Sequence, residues 1–145
     1  MKLQFELTTP ERIVTTGEYD SATIPTAQGE ITVLPGHIPL VATLAPGMIT
    51  LRQGKEESFL AVSGGFIEVQ PKSRLIVLAD TAERAEELDL KLVEESRERA
   101  RKLLEEKRSM DDVSSAAAVA ALERELARLK VVRRHRGRRE QGSPQ

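Results

Sequence analysis

Up to about Asp80 the apolar residues recur at every second position. In KLQFELT, Leu3, Phe5 and Leu7 fall on one face of a strand, with Lys2, Gln4 and Glu6 on the other. Similar short runs follow as EITVL, MITLRQ, SFLAV, FIEVQ and RLIVLA, and glycine or proline separates nearly all of them, as at Pro10, Gly29, Pro35-Gly36, Pro46-Gly47, Gly54, Gly64-Gly65 and Pro71. Many short strands at this spacing predict a flattened β-sandwich or barrel of antiparallel strands, with Ile, Val and Leu filling the space between two small sheets.

Beyond Asp80 the period changes. Between Thr81 and Gln141 there is no proline and only Gly137, while Glu, Arg, Lys, Leu and Ala dominate, which is a helical composition. Asp80 with Glu83 has capping-box spacing and predicts the first helix start there. Its apolar stripe reads Ala85, Leu88, Leu92, Ala100 and Leu103, interrupted by Ser96. RSMDDVSS (Arg108 to Ser115) is rich in Ser and Asp, which favour caps over helix interiors, and predicts a break. A second helix follows with Val119, Leu122, Leu126 and Leu129 on one stripe, and Ala116, Ala117, Ala118, Ala120 and Ala121 allow close approach of another backbone. Two such helices joined by a short connection predict an antiparallel hairpin. The expected organisation is a sandwich over 1–82, a helical hairpin over 83–134 and a basic, disordered tail over 135–145.

Each helix offers only four or five apolar side chains to its partner, each worth about 1.5–3 kcal/mol when buried, against roughly 1–2 kcal/mol of ordering entropy per residue. The hairpin is therefore expected to be marginal, and a competing partner can open it.

Composition narrows the chemistry. With 145 residues and 39% hydrophobic content the chain can form one modest core, and with no cysteine it has no disulfide, thiolate metal site or cysteine nucleophile. No secretory leader and no apolar run near 18 residues is visible. The net charge of −1 conceals a basic end, RRHRGRR (Arg133 to Arg139). That run suits phosphate or an acidic protein surface, although a charged end is more often simply solvated.

Catalytic signals are weak. His37 and His135 lie about a hundred residues apart, His37 without a ligand partner at metal spacing and His135 among arginines, so no metal is expected. Ser63 in VSGGF precedes a strand pattern rather than a helix and therefore lacks a nucleophile elbow. The carboxylates of EESRERARK alternate with cations at i,i+3 and i,i+4, as on a solvated ion-paired face. One Tyr and three Phe provide no stacking platform for single-stranded nucleic acid. A non-catalytic binding or assembly module fits best; the rival is an anion- or nucleic-acid-binding adaptor using the arginine tail.

GEITVLPGHIPL, LAPGMITLR, FLAVSGGFIEV and VLADTAERAEELD resemble, in order and spacing, segments of the epsilon-subunit family of bacterial F-type ATP synthases, over about residues 3 to 132. The resemblance implies a non-catalytic rotor subunit on the cytoplasmic face of the bacterial inner membrane, held there peripherally through the complex. The implied partners are the gamma subunit, the c-ring and the alpha and beta subunits, with no nucleic acid.

By the same resemblance, Gln28, Gly29, Glu30, Gly36 and His37 form a c-ring-facing loop, and the hairpin switches between a folded position and an extended, inhibitory one. Arg108, Arg124, Arg128, Lys130, Arg133 and Arg134 are the cations it implies for contact with an acidic segment of beta. Members that bind ATP as a regulatory ligand carry Ile or Leu, Asp, two variable residues, Arg and Ala. Here LDLKLV matches at Leu88 and Asp89 but has Leu92 and Val93 where the family has Arg and Ala, leaving Lys91 and Arg99 to compensate. A lost charge-assisted contact is worth about 1.5–3 kcal/mol, so no cofactor is assigned.

Overall fold

The computed structural model describes residues 1–107 and 112–141. Ten strands come first: β1 (Leu3–Thr8), β2 (Ile13–Tyr19), β3 (Ser21–Thr26), β4 (Gly29–Val33), β5 (Leu40–Leu44), β6 (Gly47–Gln53), β7 (Glu56–Val62), β8 (Gly65–Gln70), β9 (Arg74–Ala79) and β10 (Ala82–Arg84). A short 3-10 turn at Ala85–Glu87 leads to the helices α1 (Leu90–Lys107) and α2 (Asp112–Gln141).

The strands form one curled sheet in the order β10-β7-β6-β3-β5-β8-β9-β1-β2, with β4 paired to β3 off that path. The ladders are antiparallel, as expected, except that β1 runs parallel to β9. The alternating pattern in the sequence has its cause here: Leu3, Phe5 and Leu7 face a core completed by Ile24, Ile49, Leu51, Leu60, Ile67, Val69, Leu75 and Val77. At the seam the β2 and β10 ends are tied by Arg84, whose guanidinium donates to the Val14 carbonyl. Every buried member of this core lies at or before Ala82, so the sandwich is filled without help from α1 or α2.

The first helix does not start at Asp80. Residues 82–84 instead add a strand to the free edge of β7, with Ala82 opposite Val62 and Arg84 opposite Leu60. Glu87 then accepts from Nη1 and Nη2 of Arg12, at 3.3 and 3.0 Å, and from the Arg84 backbone N–H. The Arg12 hydrogen bond holds the Glu87 carboxyl below its ordinary value, against the opposing effect of partial burial. Asp89 caps α1, its side chain accepting from Leu92 N–H at 3.2 Å.

The helices pack through narrower faces than the predicted stripes. Val93 near the start of α1 meets Leu129 and Val132 in the second half of α2, which makes the pair antiparallel. Of the predicted stripes, Ala85, Ala100 and Leu129 are buried while Leu92, Leu103, Val119 and Leu126 are exposed, and Val93, which the predicted stripe omitted, is buried. Of the break expected at Arg108–Ser115, residues 108–111 lie outside the described residues, and 112–115 already belong to α2. The tail expected to be disordered from 135 is helical through Gln141. Arg138 anchors it, pairing with Glu57 at 3.0 Å and donating to the Lys55 carbonyl on the β6–β7 turn.

Val131 of α2 packs on Phe59 and Ala61, the outward residues of β7, with Met48 beside them. β7 is thus buried on both faces, which explains why SFLAV reads as an unbroken apolar run.

Candidate functional site

No helix among the described residues is long and apolar enough to cross a membrane, and no group of three or more potential metal-ligating His, Asp or Glu side chains occurs among them. The surfaces that remain are the edge strand β4 with its flanking turns, the uncovered sheet face, and the cations of α2.

The turn from β3 to β4 carries Gln28, Gly29 and Glu30, all exposed. Thr26 Oγ1 closes it, donating to the Gly29 carbonyl at 2.6 Å and accepting from the Gln28 N–H at 3.3 Å. At the far end of β4, Leu34-Pro35-Gly36-His37 makes a tight turn with His37 N–H donating to the Leu34 carbonyl at 3.1 Å. Proline second and glycine at φ +84° third are what a type II turn requires, so Pro35-Gly36 is fixed by backbone geometry. The structure therefore does not bring Glu30 and His37 together. Gly29 pairs with Thr26 whereas Val33 pairs with Ala22, and a five-residue strand separates the two turns by on the order of 15 Å. They mark the two ends of one exposed strand edge.

Sequence reasoning missed the residue that holds the second turn. Ser73, in the β8–β9 turn, is buried at positive φ and accepts from Gly36 N–H at 2.8 Å. Ser73→Ala should leave that N–H without its acceptor and cost about 1 kcal/mol. Faster hydrogen exchange at Gly36, with β3 amides unaffected, is the expected readout; unchanged exchange would assign the turn's order to Pro35 alone.

The uncovered face belongs to β5, β8 and β9. Phe66 lies opposite Thr43 on one side and Leu78 on the other, and Val41 opposite Glu68. Val41, Phe66 and Leu78 are 71%, 60% and 55% exposed, an apolar group on a face that alternation assigns to polar residues. The signal was legible in FIEVQ, where Ile67 and Val69 take the inside and leave Phe66 outside.

The predicted cations of α2 do not act as one group. Arg124 is exposed, with its Nε 3.7 Å from Glu125; Lys130 and Arg134 are exposed; Arg133 lies 3.7 Å from Glu94 of α1. Arg108 lies outside the described residues. Arg128 is half-buried and held by Glu83 at 2.7 Å and Glu125 at 2.9 Å. Burial acts to lower its pKa, but the two carboxylates outweigh it and hold the guanidinium above its ordinary value.

The residues of the nucleotide motif are also divided. Leu88, Asp89 and Lys91 border a groove with His135, Arg136 and Arg139 of α2. Arg99 is not on that groove, and donates to Ser96 one turn earlier. Val93, where the family motif has Ala, is buried against Leu129 and Val132.

Residues 2–85 match the family model described as ATP synthase, Delta/Epsilon chain, beta-sandwich domain. The chain is 46% identical over 129 residues to the ATP synthase epsilon chain of Moorella thermoacetica, covering 88% of this chain and 94% of that one. It is 38% identical over 138 residues to the epsilon chain of Herpetosiphon aurantiacus, covering 95% and 99%. Among solved structures it resembles a chain of the Euglena gracilis mitochondrial ATP synthase OSCP/F1/c-ring assembly, with a TM-score of 0.74 at 25% identity over 92% of this chain and 81% of that one. A chain of the Tetrahymena thermophila mitochondrial ATP synthase central stalk and c-ring shares the fold, with a TM-score of 0.55 at 16% identity over 93% and 96%.

Proposed function

Since the chain belongs to the delta/epsilon family of ATP synthase subunits, as an epsilon chain, we propose that it is a non-catalytic rotor subunit that couples the c-ring to gamma and restrains ATP hydrolysis through its helices. The observation that carries this reading is the asymmetry of the sandwich. One outer face is occupied by α2 through Val131, while the other carries the exposed Val41, Phe66 and Leu78.

In this reading the bare face docks on gamma and the β4 edge, with Gln28, Gly29 and Glu30 at one end and Gly36 and His37 at the other, docks on the c-ring at the cytoplasmic face of the bacterial inner membrane. A strand edge with free N–H and C=O groups suits such a contact because only another protein can satisfy them without water. Arg124, Lys130, Arg133 and Arg134, already exposed on α2, supply cations to an acidic segment of the alpha-beta head once the hairpin extends. Surface pairs are each worth about 0–1 kcal/mol, so inhibition requires several of them acting with apolar burial.

The test compares ATP hydrolysis by the alpha-beta-gamma complex with the full chain and with a chain ending at Glu87. The cut belongs there rather than at Asp80 because β10 and the Arg12–Glu87 pair are part of the sandwich. Both chains should bind, and only the full chain should suppress hydrolysis. Equal suppression by the two would move the brake into the sandwich, and failure of both to bind would remove the rotor assignment.

A further inference from the structure

The turns that close one end of the sandwich form a continuous surface. Gly36 N–H donates to Ser73 Oγ at 2.8 Å, and that hydroxyl donates to Met1 Sδ at 3.3 Å. Lys2 pairs with Asp20 on the β2–β3 turn, Asp20 accepts from Gly54 N–H at 2.6 Å, and Arg138 donates to the neighbouring Lys55 carbonyl. Strand register agrees with these contacts. Val33 lies opposite Ala22, Ser21 opposite Arg52, Leu40 opposite Val69 and Gln70 opposite Arg74, so four connections emerge on the same side.

Two kinds of side chain project from that end. Leu34 and Ile38 are 56% and 75% exposed, held out on either side of the Pro35-Gly36 turn. Lys55, Lys72 and Arg74 are exposed around them, Arg74 reaching Glu6 only at 4.0 Å. The connections at the opposite end carry Glu11, Glu30 and Asp80, and Arg12 there is paired with Glu87. The sandwich is thus polarised along its strands, with cations and protruding apolar groups at one end and carboxylates at the other.

We propose that the basic end is a membrane-contact surface, on which Lys55, Lys72 and Arg74 meet the headgroups of anionic lipid while Leu34 and Ile38 enter the boundary between headgroups and acyl chains. A lipid surface suits these side chains because they stand on the tips of turns. A bilayer yields around isolated projections, whereas a protein partner must supply a matched pocket for each. The lysine stems keep each ammonium at headgroup level while their methylenes lie along apolar surface. The His37 end of β4 opens directly onto this surface. The inference rests on the proposed rotor reading for its orientation in the cell, and adds a direct lipid contact to attachment through the complex. Fluid lipids exchange beneath such a contact, so it steadies a rotor without arresting it. The basic run of α2 also gains a use, since Arg138 brings the end of that helix to the β6–β7 turn.

Flotation of the full chain with vesicles tests the surface in the absence of any other subunit. The chain should partition onto vesicles of equal parts phosphatidylglycerol and phosphatidylcholine, stay off phosphatidylcholine alone, and be released as salt shortens the Debye length. Each basic side chain at an anionic surface is worth about fivefold in partitioning, so Lys55→Glu with Lys72→Glu should lower it by at least about 25-fold. Lys102→Glu with Lys130→Glu makes the same change in net charge on the helices, and should lower it by less than about fivefold. Leu34→Ser with Ile38→Ser should lower it about tenfold and leave the salt dependence unchanged. All six side chains are exposed, so melting temperatures should stay within about 2 °C of wild type.

No binding to anionic vesicles at low salt, or equal losses for the sandwich and helix charge reversals, would overturn the surface. An unchanged partition for the Leu34 and Ile38 variant would overturn the insertion. If Lys55→Glu with Lys72→Glu leaves vesicle binding intact and instead weakens binding to detergent-solubilised c-ring, this end docks on protein and the lipid contact falls. The rotor reading fails separately. Partition onto vesicles without binding to the alpha-beta-gamma complex would remove that reading and keep the membrane surface, and the reverse result would remove the membrane surface alone.

Discussion

Gly65→Ala is expected to destabilise the sandwich by about 3–5 kcal/mol, at the upper end of what single substitutions do. A β-carbon at this position would lie 1.9 Å from the Leu78 carbonyl oxygen and 3.0 Å from Ala79 Cα, and the residue has φ +129°. The obstruction is backbone, held from both sides: Gly65 pairs with Leu44 of β5 and with Ala79 of β9. Neither neighbour can retreat without breaking a ladder. At about 4–8 °C per kcal/mol for a domain of this size, the melting temperature should fall by more than about 12 °C. Gly64→Ala provides the internal comparison. It has a similar φ of +122°, but its nearest atoms are Asp80 Oδ2 at 3.5 Å and the Leu44 carbonyl at 3.7 Å. Only backbone strain remains there, on the order of 1–3 kcal/mol. A Gly65→Ala melting shift no larger than that of Gly64→Ala would show that the strands part more easily than the pairing implies.

The same pair marks how far the sequence could be read. Gly64-Gly65 was legible as a turn with positive φ, but that Gly65 also admits the β9 backbone depends on a partner ten or more residues away. Alternation revealed the strands because each has one face on the core, as with Leu3, Phe5 and Leu7. It could not reveal that β1 runs parallel to β9, since both directions show the same period. The helix start was misread because Asp80 and Glu83 have local capping-box spacing, whereas the open edge of β7 is a tertiary opportunity that no local pattern reports. The charged end suggested a disordered tail from 135. One acidic residue in the β6–β7 region, Glu57, was enough to anchor Arg138.

The candidate surfaces divide along the same line. Turn chemistry at Pro35-Gly36 follows from residue types alone. The placement of Glu30 and His37 at opposite ends of β4 follows from register, which the sequence sets only through its pairing with β3. Arg128 could be named as a cation on α2, but its engagement with Glu83 spans 45 residues and two element types and was invisible until the chain was folded.

Phe66→Lys should weaken binding to gamma by roughly a hundredfold or more while changing stability by no more than about 0.5 kcal/mol. The two halves of this expectation have separate causes. Stability is spared because Phe66 is 60% exposed on the outer face of β8, and because Glu68, two positions along the same face, gives the ammonium a partner. Binding suffers because in the rotor reading Phe66 is the centre of the apolar group, with Val41 on β5 and Leu78 on β9, and large aromatics at the centre of an interface carry a disproportionate share of its energy. A lysine there both removes the buried area and forces a charge out of water. Leu92→Lys is the control: Leu92 is 61% exposed, but on α1, away from the bare sheet. Titration calorimetry of each variant against gamma should show the loss for Phe66→Lys alone. If both variants bind as wild type, the bare face is not the docking surface. If only Leu92→Lys fails, gamma is held by the helices, and the asymmetry of the sandwich must be explained by some other partner on its open side.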